Sequence, residues 1–159
     1  MTLEFGGRLH PVAGLKFQDH AIELPAGMSQ LTVKVRYTRT NDTFPVLLLF
    51  DPNGWRGELG LIKAYGEVEL QLTLGQETSP SAVPGPLPPG CWTVHLAALW
   101  GAEPLDYRGV VEVEMGGRSG TGATTPFFPS LTHSLRSEPG WYRGDFHLHT
   151  TFSDGYYTP

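Results

Sequence analysis

Apolar and polar residues alternate along three stretches of the chain, residues 31–37, 68–74 and 111–115. In each of them every second residue is apolar, which is the period of a β-strand with one side in a core and the other in water. Strands of this kind are typical of antiparallel sheets. The pattern therefore predicts an all-β fold built from half-buried strands.

A fourth stretch is apolar at every position. Residues 45–50, PVLLLF, are followed by the turn signal DPNG, so we expect a strand buried on both faces that ends in a turn at Pro52 and Gly54. Residues 79–90, SPSAVPGPLPPG, contain too many prolines for a central strand. They predict a loop or an edge crossing.

The stretch CWTVHLAALW, residues 91–100, places Trp92 and Val94 on one side of a strand and His95 on the other. A lone histidine in a strand is more often a packed or solvated side chain than a metal ligand. The alternating stretches and this strand together predict one common core that contains Trp92, Val94, Leu96, Val33, Val35, Leu70 and Leu72.

With six to eight short strands and turn signals between most of them, residues 1–115 predict an antiparallel β-sandwich of the jelly-roll or immunoglobulin-like kind. Residues 116–140 are rich in Gly, Ser, Thr and Pro and predict a linker. We expect this linker to be ordered only where Phe127 and Phe128 pack on a neighbouring surface. Residues 141–159 form a third segment.

The composition of the chain indicates which partners and which cellular compartment to expect. The chain has 159 residues and a formal net charge of −5, and its lysines and arginines are scattered, so nucleic acid is not an expected partner. Neither a basic and apolar leader nor an apolar run of about 18 residues is present, so we expect a cytoplasmic protein without a membrane partner. The single cysteine, Cys91, excludes an intrachain disulfide and a thiolate zinc cluster.

Candidate metal ligands are concentrated near the C-terminus. Residues 142–150 have a strand pattern, in which His147 and His149 project from one face about 7 Å apart and can converge on one cation. Asp145 shares this face and can orient a histidine or approach the metal, and Asp154 follows in a turn. Imidazole and carboxylate ligands without a thiolate suit zinc, manganese or iron.

The longer string DFHLHTTFSDG, residues 145–155, resembles the first motif of the polymerase-and-histidinol-phosphatase (PHP) superfamily, whose members are metal-dependent hydrolases with a distorted β/α barrel. The resemblance implies that the motif lies on the first barrel strand and contributes to a cluster of two or three metals. It also implies that His147 and His149 bind the first metal, with Asp154 a further ligand or a close neighbour.

A second resemblance extends over most of the chain. LLFDPNGWRG (48–57), PGPLPPGCWTVHL (84–96) and GWYRGDFHLHTTFSDG (140–155) occur in the order found in the carbaryl-hydrolase-like (CehA/McbA) branch of the superfamily. Proteins of that branch are implied to carry a β-sandwich before the catalytic barrel. We therefore expect this chain to hold the sandwich, a linker and the first strand of an otherwise absent PHP barrel.

The expected function follows from these resemblances. The full-length protein is predicted to hydrolyse a small phosphoester or carboxyl ester with divalent zinc, manganese or iron, which would activate a water molecule. Two imidazoles and a carboxylate on a terminal strand provide neither high metal affinity nor a shaped pocket. We therefore expect the present chain to be non-catalytic, and to bind metal weakly or not at all.

Two other classes of protein remain open at this point. The chain can be a free-standing sandwich that binds a glycan or a protein through exposed aromatic residues such as Trp55 or Trp141, in which case a row of aromatics on one sheet face is expected. It can also be a small enzyme that completes its metal site by oligomerisation, with an interface that joins two C-terminal tails. The sequence leaves the oligomeric state open.

Overall fold

A computed structural model describes residues 1–11, 17–60, 62, 64–98, 101 and 103–116. The described residues form eight strands and no helix. The strands are β1 (Thr2–Leu9), β2 (Gln18–Leu24), β3 (Met28–Arg39), β4 (Pro45–Asp51), β5 (Gly54–Gly60), β6 (Gly66–Gly75), β7 (Gly90–Ala98) and β8 (Leu105–Met115). The predicted all-β class is thus confirmed for this part of the chain.

The strands form two antiparallel sheets of four strands each. Sheet A has the order β1-β8-β3-β6 and sheet B the order β2-β7-β4-β5. Between the described strands, every connection except the β4–β5 turn crosses from one sheet to the other, as in a jelly roll. In an immunoglobulin-like sandwich the first two strands lie in the same sheet, whereas here β1 and β2 lie in different sheets.

The core lies between the two sheets and has the predicted composition. All seven residues predicted to share it are at most 1% exposed: Val33, Val35, Leu70, Leu72, Trp92, Val94 and Leu96. Burial of each such side chain contributes about 1.5–3 kcal/mol to folding. The indole Nε1 of Trp92 donates a hydrogen bond to the carbonyl oxygen of Pro88 at 2.9 Å, so the polar atom of this large side chain is satisfied.

Strand β4 differs from the prediction that both of its faces are buried. Leu47 and Leu49 are completely buried against sheet A. Val46, Leu48 and Phe50 point to the outer side of sheet B and are only partly buried. The reason is that a two-sheet sandwich covers one side of each strand, and no described residue forms a third layer over the other.

The turn between β4 and β5 confirms the turn predicted from DPNG. The Oδ1 atom of Asp51 accepts hydrogen bonds from the backbone N–H groups of Asn53, at 2.6 Å, and Gly54, at 2.9 Å. An aspartate in this position stabilises a tight turn through its own side chain. The predicted loop 79–90 is confirmed as far as residue 89, since residues 79–89 lie between β6 and β7 and contain only the isolated bridge residue Ala82, while Gly90 begins β7.

A buried arginine joins this turn to the proline-rich loop. The Nη1 atom of Arg56 lies 2.7 Å from the Oδ2 atom of Asp51 and donates to the carbonyl oxygen of Pro86 at 2.8 Å. Its Nε atom donates to the carbonyl oxygen of Val83 at 3.3 Å. The guanidinium carbon lies 5.4 Å from the ring centroid of Trp92. Arg56 therefore connects strand β5, the turn, the loop and the core.

We expect Arg56→Met to lower the free energy of unfolding by about 3–5 kcal/mol, because it leaves the buried carboxylate of Asp51 without its counter-ion. Arg36→Met is the matched control: Arg36 pairs with Glu69 on the surface, its side chain is 75% exposed, and the expected loss is below about 1 kcal/mol. Urea unfolding of both variants measures the difference. Equal losses of unfolding free energy in the two variants would show that the buried Arg56 network stabilises the fold no more than the surface pair does.

Candidate functional site

The predicted metal motif belongs to the part of the chain that follows the described residues. Asp145, His147, His149 and Asp154 lie outside them, and so does Trp141. Within the described ranges, no group of three or more His, Cys, Asp or Glu side chains is placed to hold a metal ion. The metal site therefore stays a prediction from the sequence.

A different surface stands out on the sandwich itself. The outer side of sheet B carries adjoining apolar and aromatic side chains, which we call the aromatic face: Phe17, Val46, Leu48, Phe50, Trp55 and His95. Strand register places Phe50 opposite Trp55, and Leu48 opposite His95. Phe17 is 37% exposed and Trp55 43% exposed, so both rings present apolar surface to the solvent. Trp55 was one of the exposed aromatics expected from the sequence.

His95 lies in the middle of the aromatic face. Its ring makes edge contacts with Phe17, at a centroid distance of 5.9 Å, and with Phe50, at 5.0 Å. Its Nδ1 atom is 2.6 Å from the Oδ1 atom of Asp19. Because a carboxylate only accepts hydrogen bonds, Nδ1 carries the proton and the ring orientation is fixed. The structure confirms that His95 is on the side opposite Trp92, where it packs between aromatic rings.

The polar rim of the aromatic face is acidic. Asp19 and Glu23 lie on the outer side of β2, and Glu58 lies on the outer side of β5. The described strands of sheet B contribute no lysine or arginine to this side, because their one arginine, Arg56, is buried with Asp51. The face therefore combines an apolar centre with negative charge on both flanks.

The outer side of sheet A has the opposite character. It forms a groove of about 1020 Å³ lined mostly by charged and polar side chains. Its charges pair with one another across strands: Lys34 is 2.6 Å from Glu112, and Arg36 contacts Glu69. Such cross-strand pairs are common on a solvated sheet surface. We therefore regard the aromatic face as the better candidate for a binding surface.

A chain of hydrogen bonds lies between the sheets at the β1 and β2 edge. The Nε2 atom of His20 is 2.6 Å from the hydroxyl of Tyr107, which donates to the Oε1 atom of Gln18 at 2.7 Å. Gln18 donates in turn to the backbone carbonyl of Arg8. Since the Tyr107 proton is used toward Gln18, His20 must donate from Nε2. Burial lowers the pKa of His20 below its usual 6.5 and raises that of Tyr107 to about 12.

The aromatic face was largely missed by the sequence interpretation. The available signal was β4, whose residues 45–50 are apolar at positions of both parities. This pattern was interpreted as a strand with two buried faces, although it equally marks a strand whose outer side is available for contact. The contribution of Phe17 had no signal, because it precedes its strand and shows no period.

Comparison of the chain with protein-family models and with curated proteins finds no match. Among the residues that the structure describes, no helix is long and apolar enough to span a bilayer.

We expect the pH dependence of stability to contain a contribution from His20. Because the folded-state pKa is lowered, the unfolded state binds more protons below about pH 6.5, so stability is present above that pH and is lost as the pH falls through it. His20→Gln should therefore show a smaller loss of melting temperature than the wild type between about pH 7.5 and about pH 5. His10→Gln, at an exposed position, should retain the wild-type profile.

Proposed function

We propose that the chain is the accessory β-sandwich of a metal-dependent hydrolase, joined to the first part of its metal site. The proposal depends on one observation, the string Asp-x-His-x-His-Thr-x-x-Ser-Asp-Gly at residues 145–155. A His-x-His pair alone occurs often by chance, but the full string combines two imidazoles, two carboxylates and a glycine turn in the order of the PHP motif.

The donor atoms suit a hydrolytic metal. His147 and His149 offer imidazole nitrogens on the same side of the predicted strand, and Asp154 offers a carboxylate after the turn. A zinc-type hydrolytic site uses about three protein ligands and keeps one position open. When bound, zinc, manganese or iron would supply a Lewis acid and an activated water. Residues outside this motif must complete the site and shape a pocket for an ester or phosphoester.

The sandwich is proposed to be non-catalytic. Two of its described histidines are engaged in packing: His95 contacts Asp19 and two aromatic rings, and His20 contacts Tyr107. Neither is accompanied by a group of donors that is placed to bind metal. The role of this domain is thus to support or position the segment that follows Gly116, while the chemistry belongs to the motif.

We expect Mn²⁺, titrated into the 159-residue chain, to broaden the NMR signals of His147, His149 and Asp154 selectively, because the ion is paramagnetic and binds nitrogen and oxygen donors. His147→Ala combined with His149→Ala should abolish the broadening. The matched control, His10→Ala combined with His133→Ala, should leave it unchanged. Broadening that survives in the motif variant would contradict the ligand assignment, and metal-dependent ester hydrolysis by this chain would contradict its non-catalytic role.

A free-standing binding module is the second candidate, and the aromatic face favours it. Exposed apolar patches bordered by polar groups often mark binding sites for other molecules. If the face binds a glycan, Trp55→Ala should reduce retention on immobilised oligosaccharides. Tyr65→Ala is a suitable control, because Tyr65 is 64% exposed but lies outside the face. No retention of the wild-type chain on any oligosaccharide would remove this candidate.

A further inference from the structure

The aromatic face lacks a covering layer within the described part of the chain. Strand β4 is apolar on both sides, yet only its inner side is packed, by sheet A. Val46, Leu48 and Phe50 remain partly exposed in the middle of sheet B, and Phe17 and Trp55 are exposed at its borders. A fully apolar strand is typical of a sheet that is covered on both faces. The sequence of β4 therefore fits a third layer.

The charge of the face restricts what can cover it. Asp19, Glu23 and Glu58 surround the apolar centre, and no basic side chain of the described sheet B strands offsets them. A complementary partner must present apolar side chains together with positive charge, since unmatched like charges at a contact are unfavourable. This requirement excludes an acidic partner.

The segment between the last strand and the metal motif has the required composition. Residues 117–144 contain three arginines and one glutamate, a net charge of +2. Their large apolar residues are Phe127, Phe128, Leu131, Leu135, Trp141 and Tyr142. We propose that residues 117–144 of the same chain cover the aromatic face, with Phe127 and Phe128 against the outer side of β4 and the arginines toward the acidic rim.

The path of the chain permits this contact. The described chain ends at Gly116, whose N–H bonds to the carbonyl oxygen of Gly27 at 3.4 Å, beside the turn that follows β2. Leu24, at the end of β2, pairs with Gly90, the first residue of β7. Gly116 therefore lies at the end of the sandwich where β7 begins. The ten residues between Gly116 and Phe127 can span roughly 35 Å when extended. The two sheets are only about 10 Å apart, so the segment is long enough to reach the far side.

The proposal goes beyond the assignment of a hydrolase. It makes the outer side of sheet B an intramolecular contact that holds the chain immediately before Asp145, and thereby fixes where the metal motif lies on the sandwich. It does not require any metal to bind. The free binding module is the opposite case, since that function needs the same face open to an external ligand.

Cys91 provides a probe at the site of the proposed contact. It is exposed, it is the single cysteine of the chain, and it lies on the outer side of β7, two residues from Thr93, which is opposite Phe50. A nitroxide attached to Cys91 in the 159-residue chain should broaden the NMR signals of residues 117–144. The matched control, Cys91→Ser combined with Glu67→Cys, carries the nitroxide on the outer side of sheet A and should leave those signals sharp.

Substitution tests the contact itself. Phe127→Ser combined with Phe128→Ser should restore sharp signals for the rest of the segment in the chain tagged at Cys91, while the signals of the sandwich stay in place. Equal broadening from both tag positions, or no broadening from Cys91, would overturn the proposal. Broadening of an untagged ¹⁵N chain by an added tagged one would assign the face to a second copy and also overturn it. None of these results depends on the Mn²⁺ titration, so the two proposals fail separately.

Discussion

A sandwich of two sheets can bury only one side of each strand. This constraint determines which side chains form the core and which lie on the outer sides of the sheets. The inner sides of β3, β4, β6 and β7 supply the buried aliphatic core around Trp92. The outer sides of the two sheets differ in the side chains that they carry. Sheet A presents paired charges to water, whereas sheet B presents Leu48, Phe50 and Trp55. The exposed apolar surface is thus the outer side of a sheet whose inner side is fully packed.

The buried pair of Arg56 and Asp51 joins the turn and the loop at the end of the sandwich next to that surface. A charged pair of this kind is costly to desolvate and gives stability only when its remaining donors are satisfied. Here the guanidinium also donates to the carbonyls of Val83 and Pro86, which belong to a loop that has little regular structure. The same residue follows Trp55 directly, so the network anchors the backbone next to the indole of the aromatic face.

The sequence predicted the sandwich and its core because the strand period is a local property. Val33, Leu70 and Val94 could be assigned to one core without knowledge of the strand order.

The distinction between a jelly roll and an immunoglobulin-like sandwich depends on which strands pair over long distances, and no period carries that information. For residues 45–50 the period is absent, because both sides are apolar, and the outer side that was predicted to be buried is only partly buried by the described residues. His95 was assigned to the correct side by parity, but its contact with Asp19 required the register of β2 against β7. The assignment of His147 and His149 as metal ligands is a prediction from the sequence alone.

The position of β8 has a consequence for synthesis on the ribosome. This strand lies between β1 and β3 in sheet A, although it is the last of the described strands to be made. Until residue 115 has emerged, β1 has no neighbour in its sheet and one edge of β3 lacks hydrogen-bond partners. Sheet B faces no such delay for its β4–β5 hairpin, which forms from adjacent residues. Chains grow at roughly 5–20 residues per second. The nascent protein therefore spends several seconds with an open β3 edge. During this interval a chaperone or a neighbouring nascent chain would find a strand with which it can pair.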